Sequence, residues 1–430
     1  GVRLGINKFL PGDYGIDEGV EYAKMVATVA DYISTDSGTW ESIDKLTAPM
    51  TVPQGFLLED VAKVKKAVNI TVIGHGRIVW PQMAEDALEK GYCDMIGLAR
   101  ALIADPYWAK KAEEGRFDEI RGCIGCNQKC IGRLLQNLPI SCVQNPTSGH
   151  EEVYGEDFLY KKTITPKKVV IVGGGPAGMK AADILARKGH KVVLFEKENM
   201  LGGRVNWESR LPGRREVFGV SRFLMKEMDV QKVDVRLGVE ATEDLVRNEH
   251  PDIVIITTGS KIAKYEIPGF NSEKVFHTLD VLDGKVTGEN VLVVDNDASA
   301  EGIGVVNALL NQGKTVYWTT PAFVNAQNVT PPTVMPLYQM VDSKSVELHP
   351  MSVVLGVEGD VATLLNPYYG RQEKIKGIDS IVVTGVKVPE TVLFNKLKGS
   401  FSEVYIIGDA AAPRDIASAL EDAVGLCIKL

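Results

Sequence analysis

The chain has 430 residues, 45% of them hydrophobic and 24% charged, with a formal net charge of −8. That length is too great for one ordinary core and points to about three domains of average globular composition. The acidic balance and the lack of any basic run exclude a nucleic-acid surface, and no apolar stretch approaches the length of a membrane span.

Residues 1–112 alternate short apolar runs with helical patterns. GVRLGI, DYISTD, ITVIGHG and CDMIGLA read as strands, separated by DEGVEYAKMVATVA, LEDVAKVKKAV and MAEDALEKG and followed by DPYWAKKAEEG, all helical. Strand–helix alternation of this kind predicts parallel strands joined by crossover helices. The four strands look like strands five to eight of a TIM (β/α)8 barrel, a half-barrel carrying two open edges and an apolar inner face. The chain is therefore expected to be a fragment of a longer polypeptide, or to take the missing half from another subunit. Ligands of such barrels sit at the C-terminal strand ends. The last two strands end in GHGRIV and IGLARALIADP, where backbone amides around Gly76, Arg77, Ala99 and Arg100 suit a phosphate cradle. Arg3, on an earlier strand, points toward the same ligand, although a single arginine is more often solvated or ion-paired.

Residues 113–165 hold Cys123, Cys126, Cys130 and Cys142 in the spacing C-x2-C-x3-C-x11-C, with a short helix expected near GRLLQNL. Three thiolates close in sequence and a fourth returned by a loop can wrap an iron–sulfur cube, with intervening amides aimed at sulfur. The same spacing also suits a structural zinc knuckle. Only Cys93 and Cys427 stand outside this group, a pattern of metal ligation in a reducing, cytoplasmic compartment rather than of a disulfide framework. No signal-peptide pattern precedes the first strand.

A Lys- and Pro-containing linker, YKKTITPKK, leads into VVIVGGGPAGMKAADILARKG. Gly173, Gly175 and Gly178, with Ala177 among them, form the dinucleotide fingerprint: a tight turn, close backbone approach to a pyrophosphate, and close helix–strand packing. Glu196 ends the next strand, where its carboxylate can accept hydrogen bonds from a ribose. Gly203 and Arg204, then Thr258 and Gly259 within TTGS, then Gly408 and Asp409 supply further backbone approach, and together they point to ADP or FAD. A second opening, ENVLVVDNDASAEG, is inserted before the closing strand EVYIIGDAAAP. This order predicts two nested Rossmann-like domains, with residues 166–285 and 386–430 forming the first and 286–385 the second. In the second, Asp295 and Asp297 take the first two glycine positions and Gly302 is read as the third. Two carboxylates there repel a pyrophosphate, so this domain is expected to be a degenerate NAD(P)-type domain.

GVRLGI, GHGRI, GLARALIADP, CIGCNQKC with Cys142, GGGPAG and IGDAAAPRDIASA together resemble the iron–sulfur flavoprotein branch of the old yellow enzyme family. That branch includes trimethylamine dehydrogenase, histamine dehydrogenase and 2,4-dienoyl-CoA reductase. The resemblance covers the whole chain, with the family's first four strands absent. It implies FMN in the barrel, one [4Fe–4S] cluster on the four cysteines, and FAD or ADP on the fingerprint domain. Where the reductases carry a proton-donating histidine this chain has Trp40, and where the amine dehydrogenases carry an aspartate it has Ser34. Asp36 and Glu41 are nearby carboxylates able to do acid or base work, or simply to form surface ion pairs.

The loss of the second domain's glycines is similar to the amine dehydrogenases. The expectation is oxidation of an amine-type, N-methylated small-molecule substrate at FMN, with electrons leaving through the cluster to an electron-transferring flavoprotein or similar acceptor. An NAD(P)H-dependent dienoyl-CoA or enoate reductase and a non-catalytic electron-transfer subunit are the alternatives. An oligomer is expected.

Overall fold

The computed structural model describes residues 1–264, 266–269, 272–341 and 345–430. Its contacts divide the chain into two units, Gly1–Gly149 with Thr330–Pro336, and His150–Val329 with Leu337–Leu430.

In the first unit, β1 (Val2–Asn7), β2 (Tyr32–Ser37), β3 (Thr71–Gly74) and β4 (Met95–Ile96) form one parallel sheet in the order β1-β2-β3-β4. The order follows the chain without reversal, as right-handed crossovers through Ile16–Val26, Leu58–Ala67 and Pro81–Glu89 produce. These helices bury Ala23, Val61, Val64 and Ala87 against Ile6, Ile33 and Val72 of the strands. Alternation along each strand therefore sends one set of side chains under the helices and the other toward the opposite face. The fourth strand is only two residues long, because Gly97 follows and the chain turns into the helix Arg100–Ala104.

The second unit contains two five-stranded parallel sheets. One has the order Glu403–Ile406, Ile253–Ile256, Lys168–Val172, Lys191–Phe195, Asp234–Arg236. Its outermost strand comes from near the C-terminus, so the intervening residues are inserted into this sheet's chain path. The other has the order Val275–His277, Ser380–Thr384, Asn290–Asp295, Thr315–Thr319, Val346–His349. The strands Ile253–Ile256 and Ser380–Thr384 are buried at every residue, as strands covered on both faces must be. An antiparallel meander, Val353–Glu358, Val361–Leu365 and Gln372–Ile375, packs beside the second sheet, burying Val357, Ala362, Leu364 and Ile375 with Leu292 and Ile381. A short antiparallel pair, Ser260–Ile262 with Lys387–Pro389, carries the chain between the two sheets. Among the described residues no helix is long and apolar enough to cross a membrane.

Candidate functional sites

At the strand ends of the first unit a cavity is lined by Arg3, Asp36, His75 and by Gly76, Arg77, Ala99 and Arg100. The backbone here is shaped for approach rather than filled by side chains. Gly76 has φ +129°, and a Cβ on it would lie 2.6 Å from that of Leu57; Arg77 follows with φ +61°. The Arg77 guanidinium donates through Nη1 to the Val52 carbonyl. Arg100 donates through Nη1 to Asn127 Oδ1 at 2.6 Å. Arg3 is bound to Asp36, Nη2 to Oδ2 at 2.7 Å, so Asp36 stands in this cavity as an ion-pair partner.

Trp40 and Glu41 line no part of this cavity, although the resemblance set Trp40 at the reductases' proton-donor position and Glu41 was read, with Asp36, as an acid–base candidate. Trp40 is 69% exposed, and Glu41 accepts a hydrogen bond from Thr39 Oγ1 at 2.6 Å, which holds its carboxyl below the usual range. The loop after β2 turns outward at Gly38 (φ +73°) and takes both with it.

His75 does line the cavity, and its Nε2 meets Ser34 Oγ at 2.9 Å. The His75 ring lies over Gly97, where a Cβ could not fit. Burial, then the nearby Arg3 charge, lowers the His75 pKa below its ordinary value, which favours the neutral ring. His75 was missed as a site residue because it sits inside GHGRIV, read only for its glycine and arginine. Its place at a strand end, one residue beyond a buried glycine, was the available signal.

Cys123, Cys126, Cys130 and Cys142 line a small cavity of their own with Ile103, Ile124 and Val143. Cys123 also borders the cavity just described. Local turns make the group: Gly125 (φ +61°) and Asn127 (φ +57°) reverse the chain between the first three cysteines, and a short helix, Ile131–Leu134, follows. A Cβ on Gly125 would meet the Arg77 guanidinium. Backbone N–H groups point at sulfur throughout: Gly125 to Cys123 at 3.5 Å, Gln128 to Cys126, Ile131 to Cys130, and Gln144 and Asn145 to Cys142. Burial raises the pKa of Cys126 and Cys130 and pushes Cys142 up to about 12, so four thiolates here need compensating cationic charge.

Among the described residues no three of the four sulfurs lie within 4.8 Å of one another. Thiolates on a tetrahedral zinc with bonds of ~2.3 Å sit only ~3.8 Å apart. The wider cage, the all-sulfur donor set and the N–H···S bonds fit a cluster better than a single ion.

A cavity of about 950 Å3 opens at the fingerprint turn of the second unit. Gly173 has φ +112°, and a Cβ there would strike the Thr257 carbonyl. Gly175 faces open space, so backbone is presented directly to a ligand. Gly178 packs against the Gly173 carbonyl and Thr257 Oγ1, leaving no room for a side chain. Glu196 accepts from Gly174 N–H at 2.6 Å and Glu198 N–H at 2.9 Å, which fixes its carboxylate on the cavity wall. Gly203, Arg204, Thr258, Gly259 and Asp409 line the same space with Ala177, and Gly408 (φ +65°) lies against Ala177. Asp409 accepts from Arg204 Nη1 and Ser260 Oγ, each at 3.3 Å. Among the described residues no metal-ligating group of three side chains forms here, and the glycine turn with Glu196 suits a phosphate- and ribose-binding cleft.

The corresponding turn of the second sheet is closed by its own side chains. Asp295 is fully buried; its Oδ1 accepts from Ala298 N–H at 3.1 Å and Thr384 Oγ1 at 3.2 Å, its Oδ2 from Trp318 Nε1 at 3.1 Å. Asp297 accepts from Ser299 N–H at 3.2 Å, and Ser299 Oγ caps the helix Ala300–Asn311 through Glu301 N–H at 3.2 Å. Burial, with Asp297 beside it, pushes the Asp295 carboxyl up to about 7. By fingerprint spacing the third position is Ala300, which corrects the assignment to Gly302. Gly302 has a different reason to be glycine: a Cβ there would collide with the Asp295 carboxylate.

The NADH:flavin oxidoreductase / NADH oxidase family matches residues 8–119, and the pyridine nucleotide-disulphide oxidoreductases match residues 167–294. An NADH oxidase of Thermoanaerobacter brockii is 34% identical, over 95% of this chain and 63% of that protein. An N,N-dimethylglycine/sarcosine dehydrogenase of Chromohalobacter salexigens is 30% identical, over 92% of this chain and 62% of that protein. Among solved structures, histamine dehydrogenase from Rhizobium sp. 4-9 superposes with a TM-score of 0.91 at 28% identity, covering 100% of this chain and 65% of that one. The chain thus spans a little under two thirds of the length of these relatives.

Proposed function

The chain belongs to the iron–sulfur flavoprotein branch of the old yellow enzyme family, and on that premise we propose that it is the greater part of an amine-oxidising, multi-cofactor dehydrogenase. In this reading β1–β4 are half of a barrel, completed by the same longer polypeptide or by a second subunit. FMN is held at their C-terminal ends, a [4Fe–4S] cluster on the four cysteines, and FAD or ADP on the fingerprint turn. The flavin supplies two-electron chemistry at the substrate and the cluster one-electron transfer onward. The acceptor is an electron-transferring flavoprotein or a protein of like function.

The chain's own residues have defined work in this scheme. Arg3 places positive charge where negative charge develops on reduction, an electrostatic stabilisation. Its partner Asp36 holds the guanidinium in place. Ser34 and His75 form a neutral hydrogen-bonded pair beside it, able to hold a proton within the cavity. Cys123, bordering both cavities, supports a short path from one to the other. The amides of Gly125, Gln128, Ile131, Gln144 and Asn145 stabilise negative charge on the sulfurs.

The observation that carries the direction of electron flow is Asp295. Its carboxyl group fills the turn where a nicotinamide dinucleotide would place its pyrophosphate, and the N–H groups of Ala298, Ser299 and Glu301, in the turn and at the helix start, are already bonded to Asp295, Asp297 and Ser299. The likeness to an NADH oxidase favours a second reading, in which NAD(P)H reduces the flavins and an enoate-type substrate is reduced. Anaerobic mixing of the holoenzyme separates the two. Dimethylamine or sarcosine is expected to bleach the flavin absorbance while NADH and NADPH leave it unchanged. Rapid bleaching by either nicotinamide would sink the amine-oxidising reading.

A further inference from the structure

Val346–His349 is the edge strand of the second sheet in the nucleotide-type unit, and residues two apart on a strand share a face. Glu347 and His349 therefore project together, toward Glu373 on the meander strand Gln372–Ile375. The His349 side chain is 5% exposed and leans on the Tyr317 ring at 6.5 Å, whereas the glutamates are 61% and 58% exposed. Its Nδ1 lies 3.3 Å from Glu373 Oε2. Its Nε2 is buried, takes no hydrogen bond, and stands 3.4 Å from Glu347 Oε1. One ligand atom from each of the three residues lies within 4.8 Å of the others.

The Nε2 to Glu347 spacing is compatible with two ligands of one ion. An N–H···O bond centres near ~2.9 Å. Two ligands held at ~2.05 Å by a tetrahedral ion stand ~3.4 Å apart. The Nε2 to Glu347 separation matches the second value, and the unbonded nitrogen is the atom that would otherwise have no reason to be buried.

We propose that Glu347 and His349 form a binding site for a borderline divalent cation of the Zn2+ class. His349 Nε2 and a Glu347 oxygen are the ligands, water completes the shell, and Glu373 accepts a hydrogen bond from Nδ1–H. That acceptor fixes the tautomer in which Nε2 has a free lone pair, the arrangement by which metal-binding histidines are oriented. Imidazole with carboxylate suits zinc or a similar ion rather than Ca2+ or Mg2+. The bound ion would tie the sheet's edge strand to the meander, at a place remote from the fingerprint turn and its cavity lining.

The test is calorimetric titration of the cluster-loaded holoenzyme with ZnCl2, with the cluster's visible absorbance followed so that the cysteines are not the sink. One equivalent is expected to bind at micromolar concentration with the absorbance unchanged. Glu347→Gln is expected to abolish that binding and Glu373→Gln to weaken it about tenfold. Both glutamates are exposed, so these variants test the site even if His349→Gln fails to fold. No binding by the wild-type holoenzyme, or equal binding by Glu347→Gln, would overturn the proposal.

Discussion

The turns at residues 173–178 and 295–300 are the same piece of architecture with opposite outcomes. Each follows the central strand of a five-stranded parallel sheet, and each opens a helix, Pro176–Lys188 in one case and Ala300–Asn311 in the other. In the first, glycine keeps side chains away and backbone donors face a cavity. In the second, Asp295, Asp297 and Ser299 accept from the donors themselves. A helix N-terminus attracts anions because its N–H groups lack partners. Where Asp295, Asp297 and Ser299 take up N–H groups of the turn, less of that attraction is left for a ligand. The fold does not choose between these states; the side chains of the turn do.

Breaking the open turn should have the largest effect. Gly178→Val would drive a Cβ to 2.6 Å from Thr257 Oγ1 and nearer still to the Gly173 carbonyl. We expect the purified variant to lose its adenine nucleotide, measured after acid extraction, and to lose about 3 kcal/mol of stability in urea unfolding. Retention of a full equivalent of nucleotide would show that helix–strand packing at Gly178 does not shape the cleft.

The closed turn should reveal itself through pH. The Asp295 carboxyl titrates at about 7 in the folded chain against an ordinary 3.8. Between these values the folded state holds a proton that the unfolded state has released. Its contribution to stability is therefore full below the lower value and is lost as pH rises through the upper one. Wild-type unfolding midpoints should fall from about pH 5 to about pH 8, and Asp295→Asn should flatten that fall. Parallel pH profiles for the two proteins would show that Asp295 is ionised in the fold throughout.

The smallest effect sharpens the comparison. Ser299→Ala removes the cap of the second helix and should cost about 1 kcal/mol. Because that turn is closed on itself, the adenine nucleotide content should stay at its wild-type value.

Much of this was legible in the chain because it is local. Gly173, Gly175 and Gly178 declare a turn that tolerates no side chain, and the cysteine spacing predicts a loop that brings its own sulfurs together, which in the structure line one small cavity. The order of strands predicted an inserted second sheet, but that sheet's edge strand Val275–His277 lies within residues 166–285, which the reading gave to the first domain. Gly302 was misassigned because its role is a contact with Asp295 across the turn rather than a place in a spacing pattern. Trp40 and Glu41 were put forward by position relative to a strand end, yet the path of the loop after Gly38 leaves them outside the cavity.

Residue type and interval were thus enough for the two kinds of turn, the sulfur loop and the alternation of strands and helices, since each follows from backbone geometry within a few residues. Tertiary packing alone decided that His75 meets Ser34, that Arg100 pairs with Asn127, and that Asp295 is buried under Trp318 and Thr384. Those pairings join residues far apart in the chain. Which one forms depends on the space left by neighbouring strands and helices, a property that no stretch of sequence contains by itself.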